Sequence, residues 1–280
     1  MKSTGEQRRT ILITGCSSGI GLACARTIKA RGWRVLATAR KPDDLARLEK
    51  NEGVEALHLE LADPASLERC AAEALERTNG RLDALFNNAA YGQVGAVEDL
   101  SAELLRQQLE VNVVGAHALI RAVLPAMRKQ GHGRIVQCSS VLGLVVAPYR
   151  GAYCASKFAL EALSDTLRLE LAGTGIHVAL IEPGPIRTEF VGNALRRFRD
   201  TIDIDGSAHR TTYLARLKSM EAGGTNRFKL EPDAVARKLV HAVEAARPRT
   251  RYFVTVPTYT AAVLRRVLPA RLLDRLLAGS

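Results

Sequence analysis

Short apolar runs alternate with longer, mixed stretches along this chain, and seven of the runs have the length and composition of buried β-strands. Between them, apolar residues recur at every third or fourth position, as at Leu163, Leu167 and Leu171, which is the period of a helix that buries one face. This alternation predicts an α/β fold, a doubly wound parallel sheet of about seven strands with helices on both faces. The predicted strands span residues 10–13, 34–38, 56–59, 82–86, 134–138, 177–181 and 252–256.

The chain of 280 residues is 47% hydrophobic, which is enough apolar material for one sizeable core, and we expect a single domain. Its five cysteines are scattered, without Cys-x-x-Cys or Cys-x-x-His spacing, so the sequence predicts neither a disulfide framework nor a metal site. No apolar stretch follows the charged residues at the start, and the longest apolar run, around residues 141–147, is far shorter than a membrane span. We therefore expect a cytoplasmic protein.

Charge is distributed unevenly along the chain. Residues 1–186 carry 22 Lys+Arg against 20 Asp+Glu, and residues 187–280 carry 18 against 9, so the last third supplies +9 of the net +11. Such a basic region suits nucleic acid, an anionic membrane surface, an acidic carrier or an acidic substrate, and it is equally consistent with a solvated surface. We expect no nucleic-acid partner.

A glycine-rich turn follows the first predicted strand and leads directly into a helical run. The sequence Thr14-Gly-Cys-Ser-Ser-Gly-Ile-Gly21 has three glycines, which permit a tight turn and a close approach of the backbone to a ligand. The N-terminus of the next helix offers unpaired N–H groups and a positive dipole to a phosphate. We predict that a dinucleotide pyrophosphate binds here, although such turns also serve plain packing. The predicted contacts are Gly15, Ser17, Ser18, Gly19, Ile20 and Gly21.

The ends of the next three predicted strands supply candidates for the adenosine half of that ligand. Arg40 stands where an acidic residue would bind both ribose hydroxyls, and its planar guanidinium suits a 2′-phosphate, which favours NADP(H) over NAD(H). Glu60 and Leu61 are candidates for the adenine edge, whereas Asp63 is typical of a helix N-cap. Small residues in the Asn-Asn-Ala turn after the fourth strand let a dinucleotide lie close to the chain. The candidates in that turn are Asn87 and Ala89.

The fifth predicted strand runs into Ser140, and Tyr153 and Lys157 follow on a predicted helix. Residues four apart share a helix face, so the phenol and the ammonium are neighbours. A free tyrosine has a pKa of about 10 and exchanges protons poorly at neutral pH, whereas a nearby cation favours the phenolate and lowers that pKa. Such a pair occurs by chance on many helices, and its significance comes from the serine and the glycine-rich turn together.

These motifs, in this order and spacing, resemble the classical short-chain dehydrogenase/reductase family over residues 10–190. They also resemble, more narrowly, the branch that contains 17β-hydroxysteroid dehydrogenases, retinol dehydrogenases and bacterial NADP-dependent aldehyde reductases. The resemblance implies a Rossmann-type fold with a nucleotide-binding and catalytic core (8–186), a helical substrate lid (187–230), a last helix and strand (231–257) and a basic amphipathic C-terminal extension (258–280). It also implies a homodimer or homotetramer.

The same resemblance assigns roles to the reacting end. Tyr153 is the expected proton donor and Ser140 holds the substrate oxygen; Lys157 binds the nicotinamide ribose, and Asn112 holds a water behind it. Glu60 departs from the aspartate that the family usually has at the adenine position. The segment after the sixth strand is expected to lie against the nicotinamide. Its predicted contacts are Pro183, Gly184, Ile186 and Thr188.

The substrate side is predicted to be largely apolar, which points to a lipophilic aldehyde, ketone or alcohol. Its candidates are Ser140, Leu142, Val146, Tyr149 and Tyr153, and further apolar residues come from 93–97 and from Phe190, Phe198, Tyr213 and Phe228 in the lid. About half of these side chains are expected to be lid core instead. His209 has no partner in the sequence and is interpreted as a surface residue.

The C-terminal stretch from residue 258 places leucines four apart with arginines between them, and Pro269 is predicted to divide it into two helices. It can dock on a membrane surface, on a partner subunit or on the core. Two other functions stay open at this point. They are a non-catalytic NADP-binding sensor and a 3-oxoacyl carrier-protein reductase drawn to an acidic carrier, and the long lid and tail argue against the second.

Overall fold

The structure is a computed structural model and describes residues 8–221 and 228–278. Its strands are β1 Thr10–Ile13, β2 Arg34–Ala39, β3 Glu55–His58, β4 Ala84–Asn87, β5 Gly133–Cys138, β6 Ile176–Glu182 and β7 Arg251–Phe253. They form one parallel sheet in the order β3-β2-β1-β4-β5-β6-β7. The strand order reverses between β1 and β4, and the carboxyl edge at that switch point is where such sheets bind ligands.

Helices cover both faces of this sheet. In chain order they are α1 Gly19–Ala30, α2 Pro42–Arg47, α3 Pro64–Arg77, α4 Ala102–Leu109, α5 Ala116–Gln130, α6 Gly151–Glu170, α7 Phe190–Thr201, α8 Arg210–Glu221, α9 Asp233–Glu244, α10 Val256–Val267 and α11 Ala270–Leu277. Asp63 caps α3 by accepting a hydrogen bond from the Ala65 N–H at 3.0 Å, as the sequence predicts. The seventh predicted strand was wrong at its end, because Val256 already begins α10 with a proline in its first turn.

Alternating side chains along the buried strands belong to two core clusters. Ile11 and Ile13 face one cluster, which includes residues of α1 and α9, while Leu12 faces the other, with residues of α3 and α5. Burial on both faces is why these strands are continuously apolar. The polar groups that remain on the sheet are thereby confined to its ends, where the predicted site residues lie.

The stretch Ala102–Gln130 runs from α4 to α5 through a π-helical turn and, by length and composition alone, could cross a membrane. Its residues Leu119, Ile120, Val123 and Met127 are buried against the sheet and α3. Because core helices of soluble proteins can have the same length and composition, this stretch is weak evidence for a membrane span.

The segment between β6 and α9 forms the predicted helical lid, with α7 and α8 in its described part. Phe198 and Tyr213 of these helices are buried in a small cluster of their own, together with Val94 and Ile202. Beyond β7, Pro269 separates α10 from α11, as the sequence predicts. The tail helix α11 exposes Leu272 and Leu276.

Candidate active site

The glycine-rich turn lies between β1 and α1 at the switch point. Gly15 has φ +71°, and a side chain there would place its Cβ 2.9 Å from the Ala89 backbone. A Cβ at Gly21 would lie 2.1 Å from the Gly15 carbonyl oxygen. Ser18 is the N-cap of α1 but makes no side-chain hydrogen bond to it, so the first-turn N–H groups point into an open, small-residue cradle.

Thr14 and Asn88 connect this turn to the end of β4. The Thr14 hydroxyl accepts hydrogen bonds from the N–H groups of Asn88 and Ala89, both at 2.9 Å. The Asn88 amide in turn donates to the carbonyl oxygens of Thr14 at 2.9 Å and Gly15 at 3.3 Å. Asn87 instead donates to the Ala116 carbonyl at 3.1 Å and is buried. The Asn88 amide thus ties the two strand ends together, which brings Ala89 against the turn.

The adenosine side carries two guanidinium groups close to the turn. Arg40 is mostly exposed at the end of β2, and its Nη1 lies 3.5 Å from the Glu60 carboxylate. Arg47 on α2 donates to the Ser17 carbonyl at 2.5 Å and pairs with Asp44. Arg47 was missed at the level of the sequence, because no spacing rule connects it with Ser17, which lies 30 residues earlier in the chain.

The predicted catalytic residues lie close together near the carboxyl end of β5, and α6 carries two of them. Tyr153, Lys157, Ser140 and Asn112 are each less than 10% exposed. The Lys157 ammonium lies 5.6 Å from the centre of the Tyr153 ring and donates a hydrogen bond to the Cys138 carbonyl at 2.8 Å. Ser140 caps the short turn after β5 by accepting from the Leu142 N–H at 3.1 Å, which orients its hydroxyl.

Burial dominates the electrostatics of this pair. It raises the pKa of the Tyr153 phenol above its ordinary value, and the neighbouring Ser140 hydroxyl and Arg150 guanidinium act in the opposite direction. Burial also lowers the pKa of the Lys157 ammonium. The expectation that Lys157 lowers the pKa of Tyr153 therefore does not describe this state, in which the ammonium is bonded to a backbone carbonyl.

Asn112 lies in the π-helical turn Glu110–Gly115 that joins α4 to α5. Its amide exchanges hydrogen bonds with the Tyr91 backbone, at 3.1 Å to the N–H and 3.0 Å to the carbonyl, and donates to the Ser156 hydroxyl at 3.1 Å. Single π-turns interrupt regular helix bonding and are frequent at functional sites. This one connects the loop after β4 to the helix that carries Tyr153.

The segment after β6 closes the cleft from the other side. Thr188 lies against the glycine-rich turn, and its side chain is 3.0 Å from the position that a Cβ of Gly19 would take. A Cβ at Gly184 would lie 2.0 Å from the Thr255 hydroxyl oxygen, so the backbone passes very close to the chain after β7. Pro183 accepts a hydrogen bond from the Val141 N–H at 2.8 Å. Ile186 packs partly against the core, next to Leu230.

Three carboxyl groups lie behind Lys157 and share one guanidinium. Arg251 of β7 bonds Glu161, Glu182 at 2.5 Å and Asp165 at 2.6 Å. Glu182 is fully buried, and burial with the nearby Glu161 raises its pKa to about 8. The same burial raises the pKa of Glu161, one helical turn after Lys157. This cluster was not recognised from the sequence, because its members come from α6, β6 and β7.

The substrate candidates are divided between two surroundings. Val146 and Tyr149 line an apolar cavity of about 530 Å³ that α11 also borders, whereas Ser140, Leu142 and Tyr153 are not part of its lining. Phe190 of the lid packs on Tyr153 with ring centres 5.5 Å apart. The cavity therefore lies beside the predicted catalytic residues and does not include them.

Part of the predicted lid side is core, and one prediction about it was wrong. Phe198 and Tyr213 are buried, and Phe228 is exposed. His209 is not a free surface residue: its Nε2 bonds Glu98 at 2.5 Å, and its Nδ1 lies 3.4 Å from the Tyr149 hydroxyl. Tyr149 itself has φ +65°, a rare conformation for a residue with a side chain. The polar contacts under the lid were not visible in the sequence pattern.

The residues of this cleft fit a nicotinamide dinucleotide. The tight turn of Gly15 and Gly21 leads into the N-terminus of α1, whose backbone N–H groups suit a pyrophosphate, and buried hydroxyl, phenol and ammonium groups lie at the opposite end. Among residues 8–221 and 228–278, no three His, Cys, Asp or Glu side chains are grouped as metal ligands would be.

Comparison with known proteins places these features in a family. The model described as short chain dehydrogenase matches residues 9–197. The chain is 44% identical over 278 residues to the uncharacterized oxidoreductase YbbO of Escherichia coli K12, covering 99% of this chain and 97% of that protein. It is 36% identical to human 17-beta-hydroxysteroid dehydrogenase type 1, covering 89% and 78%.

A further relative and a solved structure extend the likeness over nearly the whole chain. The NADPH-dependent 3-dehydrocapnine reductase of Ornithobacterium rhinotracheale is 32% identical, covering 96% of this chain and 95% of that protein. The crystal structure of a short-chain dehydrogenase from Streptomyces avermitilis superposes with a TM-score of 0.78 at 29% identity, covering 98% and 94%. The similarity therefore includes the lid and tail as well as the sheet.

Proposed function

The chain belongs to the short-chain dehydrogenase family and is an oxidoreductase, and we propose that it interconverts a lipophilic aldehyde or ketone and its alcohol with NADP(H). The observation that carries the proposal is the burial of Tyr153, Lys157 and Ser140 together at the carboxyl end of β5. A protein that only senses the cofactor has no use for a buried phenol and ammonium, whose burial costs free energy.

Bound NADPH supplies the hydride, and the side chains of the chain manage the substrate oxygen and the proton. Ser140, whose hydroxyl is oriented by its bond to the Leu142 N–H, holds the oxygen. Tyr153 donates its proton to that oxygen as it gains charge, and the raised pKa keeps the phenol protonated and ready to donate. Lys157 holds the ribose and, with Asn112 in the π-helical turn, returns a proton to Tyr153. Oxidation of an alcohol is the reverse path.

Preference for the phosphorylated cofactor is supported by charge at the end of β2. Arg40 is mostly exposed, and its pairing with Glu60 at 3.5 Å is long, so the guanidinium is available to a 2′-phosphate. Arg47 adds a second positive charge beside Ser17. A relative of this chain is named as NADPH-dependent. These observations favour NADP(H), and Glu60 then serves to orient Arg40 as well as to meet the adenine.

A lipophilic substrate is supported by the cavity beside the catalytic helix. Its volume of about 530 Å³ is typical of small-molecule sites, and Val146, Pro148, Phe158 and Leu277 contribute to an apolar lining. Relatives of the chain are named for a steroid and a retinol. We propose that the apolar body of the substrate enters here while its carbonyl reaches Tyr153.

A carbonyl panel followed through NADPH consumption tests this function. Purified protein should reduce medium-chain aldehydes, steroid ketones or retinal, and NADPH should support higher kcat/KM than NADH. Tight NADPH binding without turnover of any carbonyl would establish the sensor instead. Turnover restricted to 3-oxoacyl groups on a carrier protein would establish the carrier-protein reductase, and both outcomes contradict the proposal.

We also propose a cellular compartment and an oligomeric state for the protein. Five buried cysteines that form no disulfide favour a reducing compartment such as the cytoplasm. Apolar residues along the stretch from α4 to α6 are exposed at Leu105, Val114, Leu163 and Leu169, which favours a homodimer or homotetramer through that surface. Sedimentation of the purified protein checks the second proposal, and a monomer at micromolar concentration would contradict it.

The tail carries the proposed contact with a membrane surface. Val263, Val267, Leu272 and Leu276 are exposed on α10 and α11, with arginines between them. Removing α11 should abolish co-sedimentation with anionic vesicles and leave neutral vesicles unbound as before. Equal binding of full-length and shortened protein would mean that the tail does not dock on lipid.

A further inference from the structure

One charged side chain at the start of α6 has no hydrogen-bond or ion-pair partner among the residues that the structure describes. Arg150 is the N-cap residue of α6, three positions before Tyr153, and it is only partly exposed. Within the described parts of the chain, 8–221 and 228–278, its guanidinium forms no hydrogen bond or ion pair. A half-buried cation without an anionic partner is costly, and a bound anion would offset that cost.

The surroundings of Arg150 add to its positive charge. The Arg216 guanidinium of α8 stacks on the Tyr149 ring at 4.7 Å and lines the same small cavity as Arg150. Burial and the charge of Arg216 lower the pKa of Arg150. The first turn of α6 contains no acidic residue, so the positive end of the helix dipole adds to the charge of Arg150.

Two acidic residues under the lid are already engaged with other groups. Asp99 accepts hydrogen bonds from Tyr213 at 2.5 Å and from Ser207 at 2.6 Å. Glu98 is paired with His209 at 2.5 Å. Neither carboxylate is therefore available to neutralise Arg150.

The backbone holds Arg150 in place. The preceding residue, Tyr149, has a left-handed backbone, and its carbonyl accepts a hydrogen bond from the Gly95 N–H at 3.0 Å. The Arg150 N–H donates to the Ala147 carbonyl at 3.2 Å. These bonds fix the backbone at Arg150, so its side chain begins from a defined position at the start of α6.

The cavity that the two arginines share has a volume of about 30 Å³, and its other walls are mainly apolar, among them Leu195, Phe198 and Leu217 of the lid helices. Such a volume is enough for one or two water molecules. It accommodates the end of a carboxylate but not a bulky headgroup.

We propose that Arg150, with Arg216, binds a carboxylate on the substrate, so that the preferred substrates are carbonyl compounds with an acidic group, an amphiphilic subclass of the lipophilic carbonyls. This deepens the proposed function and rests on it. The guanidinium fork meets both carboxylate oxygens, and Tyr149, which lines both this small cavity and the cavity of about 530 Å³, lies between the acidic end of the substrate and its apolar body. Arg150 is thus a specificity-determining residue for the reaction of Tyr153.

The test compares an oxo-carboxylate with an unsubstituted alkanal of the same chain length. Wild-type protein should use the oxo-carboxylate with the higher kcat/KM, over a series of chain lengths. Arg150→Met should lower the ratio of kcat/KM for the oxo-carboxylate to kcat/KM for the alkanal about tenfold or more, mainly through the KM for the oxo-carboxylate. The kcat/KM of Arg150→Lys for the oxo-carboxylate should lie between those of the wild-type protein and Arg150→Met, because lysine keeps the positive charge but loses the planar, two-pronged guanidinium. Arg106→Gln, an exposed arginine on α4, controls for net charge.

Several results would overturn the inference. A wild-type protein that uses both substrates equally, or an Arg150→Met protein that loses both activities in parallel, would make Arg150 a structural residue. In either case, alkanal turnover by the wild-type protein leaves the proposed function intact. If the wild-type protein turns over neither substrate, the proposed function itself is refuted. Should Arg150→Met not fold, thermal protection of wild-type protein by octanoate but not by octanol supports the site, and equal protection refutes it.

Discussion

The two ends of the cofactor cleft are built from different materials. At the phosphate end, the turn from Thr14 to Gly21 works through backbone groups and the absence of side chains, and a Cβ at Gly21 would collide with the Gly15 carbonyl. At the reacting end, Ser140, Tyr153 and Lys157 are buried side chains, and burial shifts the pKa values of the phenol and the ammonium. Binding and chemistry therefore depend on separable features, so that a variant at one end should spare the task of the other.

The largest expected effect comes from removing the proton donor. Tyr153→Phe keeps the ring that packs on Phe190 and deletes only the hydroxyl, so kcat should fall about a thousandfold or more. The Kd for NADPH, measured by fluorescence titration, should stay within a factor of about two. Tyr259→Phe, at a tyrosine that is 47% exposed, is the matched control. Near-normal kcat in Tyr153→Phe would remove the phenol from the mechanism.

A methyl group at the opposite end should impair binding. Gly21→Ala places its Cβ 2.1 Å from the Gly15 carbonyl oxygen, so the turn must shift and the Kd for NADPH should rise about a hundredfold. Gly192→Ala, on α7, meets only the Glu189 side chain at 3.8 Å and serves as the control. Unchanged cofactor affinity in Gly21→Ala would show that the turn does not hold the phosphates.

The buried carboxyl of Glu182 should make stability depend on pH. Its pKa is raised to about 8 in the folded protein, above the ordinary value of 4.5, so the folded state keeps a proton that the unfolded chain loses between these values. The stability conferred by this protonated group is fully present below pH 4.5 and is lost as pH rises to about 8.

Glu182→Gln carries no titrating proton and should remove a slope of about 1.4 kcal/mol per pH unit from the unfolding free energy in that window. Urea unfolding at several pH values measures it, with Glu170→Gln, at an exposed carboxyl of α6, as control. Parallel pH dependence of Glu182→Gln and wild type would mean that Glu182 is ionised when folded.

The smallest effect is expected for cofactor preference. Arg40→Asp reverses the charge that faces the adenosine ribose and should change the ratio of kcat/KM for NADPH to that for NADH by about tenfold in favour of NADH. Lys129→Asp, at an exposed position on α5, makes the same change of charge elsewhere. An unaltered ratio in Arg40→Asp would transfer 2′-phosphate recognition to another residue, and Arg47 beside Ser17 is the next to test.

The sequence predicted what depends on short-range pattern. The seven strands followed from apolar runs, with errors of at most three residues at their ends, and the N-cap at Asp63 followed from its proline neighbour. The glycine-rich turn could be predicted because its conformation and close packing depend on glycine itself. The contacts between charged groups from distant segments could not be predicted. Arg251 of β7, for example, bonds Glu161 of α6 and Glu182 of β6.

His209 and Arg150 show the same limit from opposite directions. The histidine was interpreted as a surface residue, yet the fold supplies Glu98 and Tyr149 as its neighbours. Arg150 carried no sequence signal, and only the structure shows that residues 8–221 and 228–278 provide no anion to pair with it. A side chain's partner, or its lack of one, is a property of the fold rather than of spacing along the chain.

The separation of binding from chemistry is tested most directly by a single-turnover experiment at saturating NADPH with a carbonyl that the wild-type protein reduces. Gly21→Ala, once saturated, should transfer hydride at close to the wild-type rate, whereas Tyr153→Phe should bind NADPH normally and transfer almost none. Equal loss of hydride transfer in both saturated proteins would contradict the account, because the two ends of the cleft would then act as one unit.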